Sequence, residues 1–247
     1  MSYTQLFEID EWKVRTTELN KEERRLQESL TSLGNGYMGM LGNFEEAYSG
    51  DHHQGSYIGG VWYPDKTRVG WWKNGYPEYF GKVINTMNFI QVDLLIDGEK
   101  VDLYTDKVTN FELELDMQHG ILRRSYLVEK AGKKVQVVVE RFVSLDQKEL
   151  CAIKMEVPSL SAQVKVEVIP VLDGNVTNED SNYDEQFWLP VSQETTSLVI
   201  ETKPNDFGID QFTVGATMSN HVINLEKTTN FVSEMKVAET YAGILAV

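Results

Sequence analysis

The residues of this chain that could do chemistry are its carboxylates, four histidines, one glycine-rich string and a crowd of aromatic rings. Glycoside chemistry needs two carboxyl groups about 5 to 10 Å apart, one of them with its pKa raised by burial. No pair of that kind stands out, and no catalytic residue is assigned. Glu112, Glu114 and Asp116 alternate along one strand face, and a neighbouring strand would bring Arg123 or Arg124 beside them, which reads as a solvated charge ladder. Glu45-Glu46 and Glu179-Asp180 are sequence neighbours, expected on opposite sides of an extended chain. His52 and His53 should likewise point apart and cannot share a metal ion, while His119 fits a turn and His221 is isolated. No metal site is expected. Gly34 to Gly39 formally fits the GxGxxG string, but residues 40–44 carry no helical pattern to complete a dinucleotide fingerprint.

The strongest local anomaly is aromatic. Tyr57, Trp62, Tyr63, Trp71, Trp72, Tyr76, Tyr79 and Phe80 crowd one stretch, interleaved with Lys66, Arg68, Lys73 and Asn74. Exposed indole and phenol faces can stack sugars; the same composition marks a protein interface, and that reading is preferred. Trp62, Trp71, Trp72 and Tyr76 are therefore candidates for substrate binding or for a domain interface.

Strands must position these groups. Period-two alternation runs through residues 111–116, 121–128, 135–139 and 163–168, with one apolar and one polar face. His119-Gly120, Asp97-Gly98 and Ala131-Gly132 supply hairpin turns, the second between expected strands at 92–96 and 100–104. Residues 21–30 are expected to form the one helix, with Asn20 and Glu23 spaced as a capping box and Leu26 and Leu30 on one face. Residues 173–188 are expected to form a long loop, because Gly174, the asparagines and the acidic run supply no period-two face. The expected fold is an all-β antiparallel sandwich with little helix, in one domain over residues 1–247.

Composition limits the partners. The chain has 247 residues, with 23 Lys+Arg against 38 Asp+Glu, a formal charge of −15. Nucleic acid and anionic membranes are poor partners for such a surface. Cys151 is the only cysteine, so no internal disulfide framework forms and a reducing compartment is expected. Residues 1–10 carry no signal-peptide pattern and no run is long enough to span a membrane as a helix. A cytoplasmic location follows as an expectation, and the Asn175-Val176-Thr177 sequon is then idle.

Leu33-Gly34-Asn35-Gly36-Tyr37-Met38-Gly39, continued by Gly42-Asn43-Phe44-Glu45-Glu46, resembles the amino-terminal domain of glycoside hydrolase family 65. Val61-Trp62-Tyr63-Pro64-Asp65-Lys66, Trp71-Trp72-Lys73-Asn74-Gly75-Tyr76-Pro77, Leu115-Asp116-Met117-Gln118-His119-Gly120 and Asn178-Glu179-Asp180-Ser181-Asn182-Tyr183 resemble, within that family, its maltose-phosphorolysing branch. Leu41 departs from the pattern, in which many members carry arginine. The resemblance implies a large β-sandwich, or super-sandwich, that precedes a helical linker and an (α/α)₆ barrel holding the general-acid glutamate and the phosphate site. It implies a parent enzyme converting maltose and phosphate to β-glucose 1-phosphate and glucose with inversion, without a cofactor, as a homodimer. The chain itself would be non-catalytic, serving the barrel, the dimer or the active-site rim, with Asn182 and Tyr183 as further rim candidates. A free-standing carbohydrate-binding module and a pure scaffold are the alternatives.

Overall fold

The computed structural model describes residues 6–67, 75, 77–158, 160, 161, 163–178 and 185–221. In chain order the described elements are β1 (Glu8–Ile9), β2 (Lys13–Thr16), α1 (Arg24–Leu30), β3 (Leu33–Gly34), β4 (Met38–Met40), β5 (Ser56–Ile58), β6 (Trp62–Lys66), β7 (Tyr79–Val83), β8 (Asn88–Ile96), β9 (Glu99–Lys100), β10 (Lys107–Asp116), β11 (Ile121–Lys130), β12 (Lys133–Val143), β13 (Cys151–Glu156), β14 (Val166–Asp173), β15 (Trp188–Gln193), β16 (Ser197–Thr202) and β17 (Thr213–Thr217). The fold is all-β, as expected, with antiparallel pairing within its sheets.

The largest sheet has the order β1-β2-β10-β11-β12-β13. Its last four strands form a meander, two of whose three turns are the expected ones: Gly120 has φ +67° and the Ala131-Gly132 pair +49° and +69°, left-handed values that suit short hairpin turns. Alternation sorts its side chains. Leu113, Tyr126, Val137 and Ile153 face a core shared with Val92 and Leu94 of β8, with Val166 and Val168 of β14, and with Met38 and Met40 of β4. On the other face Arg15 lies opposite Glu114, Glu114 opposite Arg123, Arg123 opposite Glu140 and Glu140 opposite Lys154, a row of alternating charge across five strands. The expected charge ladder is therefore present, with Arg123 as its member, but it is not solvated throughout: Glu114 is buried and paired with Lys13 at 2.8 Å. Such pairs mainly keep a broad sheet face wet, each adding at most about 1 kcal/mol.

Three sequence expectations are corrected. The 163–168 strand begins at Val166, runs to Asp173 and is buried on both faces over Val166–Leu172. Ile169 and Val171 pack with Leu95 in a small cluster of their own, so period two is lost where both sides are covered. The 100–104 strand stops at Lys100, where Asp102 turns the chain by accepting hydrogen bonds from the Tyr104 and Ser49 amides. The helix begins at Arg24, because Asn20 Oδ1 caps the amides of Glu22 and Glu23 one turn too early. It also faces the opposite way: Arg24, Gln27 and Glu28 are buried, while Leu26 and Leu30 are 45% and 48% exposed.

A second core joins Val61, Ile84, Met87, Leu172, Phe187, Trp188, Leu198 and Ile200 beneath the β15-β16-β17 sheet. Two smaller assemblies, β3-β4-β5 and the β6-β7 pair, precede β8 in sequence and carry the glycine-rich and aromatic segments.

Candidate functional site

Two places gather polar or aromatic groups: a buried charge cluster behind the glycine-rich motif, and an open cleft in front of it. The cluster begins where α1 turns its polar side inward. Arg24 Nη2 donates to the Gly42 carbonyl at 2.9 Å and pairs with Glu28 at 3.2 Å. Glu28 in turn accepts from Asn43 Nδ2 at 2.9 Å and from the His53 amide at 2.8 Å. His53 thus enters through its backbone amide, and His52 Nδ1 lies 3.0 Å from the Gly50 carbonyl.

The other half of the cluster rises from the large sheet. Arg124 and Arg141 occupy inward-facing positions in the β11 series Leu122, Arg124, Tyr126, Val128 and the β12 series Val137, Val139, Arg141, Val143. Glu45 and Glu46 meet them. Arg124 Nη2 pairs with both carboxylates, at 2.7 Å to Glu45; Arg141 Nη1 reaches Glu45 at 2.7 Å; and the Tyr126 hydroxyl donates to Glu46 at 2.7 Å. The expectation that Glu45 and Glu46 diverge into solvent is overturned, because the 42–47 segment is not a strand and turns both side chains inward. Three buried arginines balance three buried glutamates: Arg24, Arg124 and Arg141 against Glu28, Glu45 and Glu46. Charges taken out of water require this pairing.

Arg24 and Arg124 differ in electrostatics. Burial draws the Arg24 guanidinium down to about 10, with Glu28 only partly countering it. Burial also opposes the charge on Arg124, but Glu46 and Glu45 outweigh it and hold that group above its ordinary range. The Phe44 ring lies between them, with Arg24 3.5 Å and Arg124 4.4 Å from its centroid. Its π face partly replaces acceptors that Arg24 Nε and Nη1 and Arg124 Nη1 lack. Gly42 is required against Thr31: a Cβ there would sit 1.9 Å from Thr31 Oγ1. Every carboxylate of the cluster is tied to arginine, so the arrangement locks the fold and offers no free general acid. Cys151 is a free thiol whose pKa burial pushes up to about 11, an unreactive setting.

In front of the motif, Gly34 to Gly39 forms the β3-β4 hairpin, with Gly36 at φ +86° in its turn, and no helix follows. The dinucleotide pattern is therefore the coincidence the sequence suggested. Between this hairpin, the Gly59-Gly60 turn and the β6-β7 pair opens a cleft of about 650 Å³. Its described side chains include Tyr37, Met38, Tyr57, Val61, Trp62 and Val83, over a floor with six glycines. Trp62 lies across Gly81, where a Cβ would meet its Cε3 at 3.1 Å, and is nearly parallel to Tyr79 at 16° and 6.5 Å between centroids. Phe212 packs edge-on against Trp62 at 6.2 Å.

Of the candidates named from sequence, Trp62 lies at this cleft; Trp71, Trp72, Tyr76, Asn182 and Tyr183 lie outside the described residues. The 173–188 loop expectation is trimmed at both ends, where Asp173 closes β14 and Trp188 opens β15; the described feet between them, 174–178 and 185–187, are non-strand and firmly held. Asn178 Oδ1 accepts from the Asn85 amide at 2.7 Å, Asn178 Nδ2 donates to the Val83 carbonyl at 2.9 Å, and Trp188 Nε1 donates to the Asn85 carbonyl at 2.7 Å. His119 serves its turn, its Nδ1 2.9 Å from Asp116 Oδ2. The buried arginines were missed, though a signal existed: charged residues at inward parity between valines, tyrosine and leucine.

Comparison with known proteins places this architecture. The family described as Glycosyl hydrolase family 65, N-terminal domain, matches residues 14–246. The maltose phosphorylase of Bacillus subtilis (strain 168) is 55% identical over 241 residues, 96% of this chain and 32% of that protein. The alpha,alpha-trehalose phosphorylase of Thermoanaerobacter brockii is 31% identical over 72% of this chain and 24% of its own length. A solved structure described as a kojibiose phosphorylase from human microbiome shares the fold with a TM-score of 0.73 at 20% identity, over 90% of this chain and 30% of that one. The chain thus spans about a third of the length of the curated relative it matches at 55% identity. With its glycine hairpin, paired glutamates and sandwich all falling inside the matched span, this chain belongs to glycosyl hydrolase family 65, to the N-terminal domain of that family.

Proposed function

We propose that this chain is the non-catalytic amino-terminal domain of a maltose phosphorylase-like enzyme. The observation that carries the reading is the graded likeness: 55% identity to a maltose phosphorylase against 31% to a trehalose phosphorylase and 29% to a kojibiose phosphorylase. The parent reaction is phosphorolysis of maltose with inversion, giving β-glucose 1-phosphate and glucose. A protonated carboxyl donates to the leaving oxygen while phosphate attacks the opposite face of the sugar. The acid belongs to the barrel, beyond this chain. Within it, Glu28, Glu45 and Glu46, the buried acids of the cluster, are each paired with arginine, which supports a supporting role. That role is to buttress the barrel, to contribute to a homodimer and to frame the active-site rim, where Asn182 and Tyr183 stand as candidates on sequence grounds. A cytoplasmic location accords with the single free cysteine; among the described residues no helix is long and apolar enough to cross a membrane.

The second reading, a carbohydrate-binding module, is favoured by the nearly parallel Trp62 and Tyr79 rings. One assay addresses both. Release of glucose from maltose plus phosphate is measured for the purified 247-residue chain and for the polypeptide extended by its natural downstream sequence. Turnover by the extended polypeptide alone is expected. Turnover by the short chain after repurification, or none by either, refutes the proposal.

A further inference from the structure

We infer that the cleft between the β3-β4 hairpin and the β6-β7 pair is the seat of the polypeptide that follows this chain, which inserts an apolar protrusion there. The inference deepens the family reading and rests on it. The chain carries 25% charged residues, yet no described residue lining the cleft is charged. Its polar side-chain groups are the hydroxyls of Tyr37 and Tyr57 and the Trp62 indole N–H. A saccharide site needs several convergent donors and acceptors to fix its hydroxyls, and the described walls do not offer them.

The apolar surface also continues outward. Val83 at the rim is 63% exposed, and it shares its face of the β6-β7 pair with the Trp62 and Tyr79 rings. Large exposed apolar groups around a concave site mark a contact surface. Concavity limits the occupant. The hollow needs a convex occupant to fill it. The relative with 55% identity is about three times as long as this chain, which spans 32% of it, and the remaining two thirds must meet this domain somewhere. The walls are built to receive it. The Gly59 amide donates to the Tyr37 carbonyl at 2.7 Å, and Asn35 Nδ2 donates to the carbonyls of Ser144 and Lys148 at 2.6 and 2.8 Å, so both hairpin tips are fixed before any partner arrives. Gly59 permits that approach, since its Cβ would stand 3.2 Å from the Gly36 carbonyl oxygen.

Hydrogen–deuterium exchange tests this on the 247-residue chain and on the naturally extended polypeptide. Amides of residues 36–39 and 81–83 are expected to exchange at least about tenfold more slowly in the extended form. A Cβ at Gly39 would meet only the Leu33 carbonyl oxygen within 4 Å, at 3.8 Å, so Gly39→Leu introduces its side chain at the cleft wall from an unobstructed Cβ position. Gly39→Leu and Val83→Asp should each abolish the added protection, and Leu160→Asp, exposed away from the cleft lining, should leave it. Equal exchange in the two wild-type forms overturns the inference, whether or not the variants fold. So does tenfold protection of the short chain by 10 mM maltose, which would assign a saccharide, or protection that grows with protein concentration, which would assign a second copy. Phosphorolysis by the extended form without added protection would sink the docking and leave the enzymatic reading standing; protection without phosphorolysis would do the reverse.

Discussion

Arg124 concentrates the energetics of this domain in one side chain. Its guanidinium serves two carboxylates and the Phe44 ring, and it stands at an inward position of β11 where its neighbours in the pattern are Leu122 and Tyr126. Removing it leaves Glu45 bound by Arg141 but deprives Glu46 of its cation, with only the Tyr126 hydroxyl left among its described partners. Breaking one side of a buried pair costs about 3–5 kcal/mol, because the remaining charge stays out of water. Arg124→Leu should therefore lose that much in urea denaturation, while Arg124→Leu with Glu46→Leu should recover part of it. A double variant as unstable as the sum of the singles would show that the two residues act independently. Burial, helped by Glu46, also raises the Tyr126 hydroxyl well above its ordinary value, so it remains a donor at any physiological pH.

At the scale of elements, α1 inverts the usual relation between helix and core. It is seven residues long and too short to persist by propensity alone. Tertiary contacts hold it: Gln27 Nε2 donates to the Glu18 carbonyl at 3.0 Å, and Glu28 enters the charge cluster. A spacing of four made Leu26 and Leu30 look like the buried stripe, yet the hydrophobic contribution is small where both remain about half exposed. Leu26→Lys and Leu30→Lys should each shift stability by less than about 0.5 kcal/mol, as surface changes do. Glu28→Leu should cost several kcal/mol by stranding Arg24, Asn43 and the His53 amide. Thermal melts of the three variants decide it, and a reversed order would mean the helix docks through its leucines.

For the whole molecule, two cores of unequal size imply unequal local stability. The meander β10-β11-β12 is paired on both sides, and its inner face belongs to the larger cluster; β15-β16-β17 covers the smaller one, and β15 exposes Leu189 and Val191. Regions with fewer buried contacts open sub-globally before the rest. Native-state hydrogen exchange in low urea should show amides of β16 opening at least about 2 kcal/mol below those of β11. A single isotherm for both sheets would make the domain one cooperative unit.

The division between sequence and tertiary structure follows from the range of the forces involved. Strand alternation and turn residues act between neighbours, so the sequence alone determined the sheet class, the hairpins at Asp97-Gly98, His119-Gly120 and Ala131-Gly132, and the outward ladder of Glu114 and Arg123. The string from Gly34 through Glu46 likewise carried the family. The sequence could not show that both faces of β14 are covered, since burial of the second face depends on a distant layer, nor that Leu26 faces water while Arg24 does not. The charge cluster is the clearest case. Glu45 and Arg124 are 79 positions apart, and Arg141 and Glu45 96, so no local pattern pairs them. Only the folding of the 42–47 segment over the end of the sheet turned two neighbouring glutamates inward, because a buried arginine is stable only where a carboxylate reaches it.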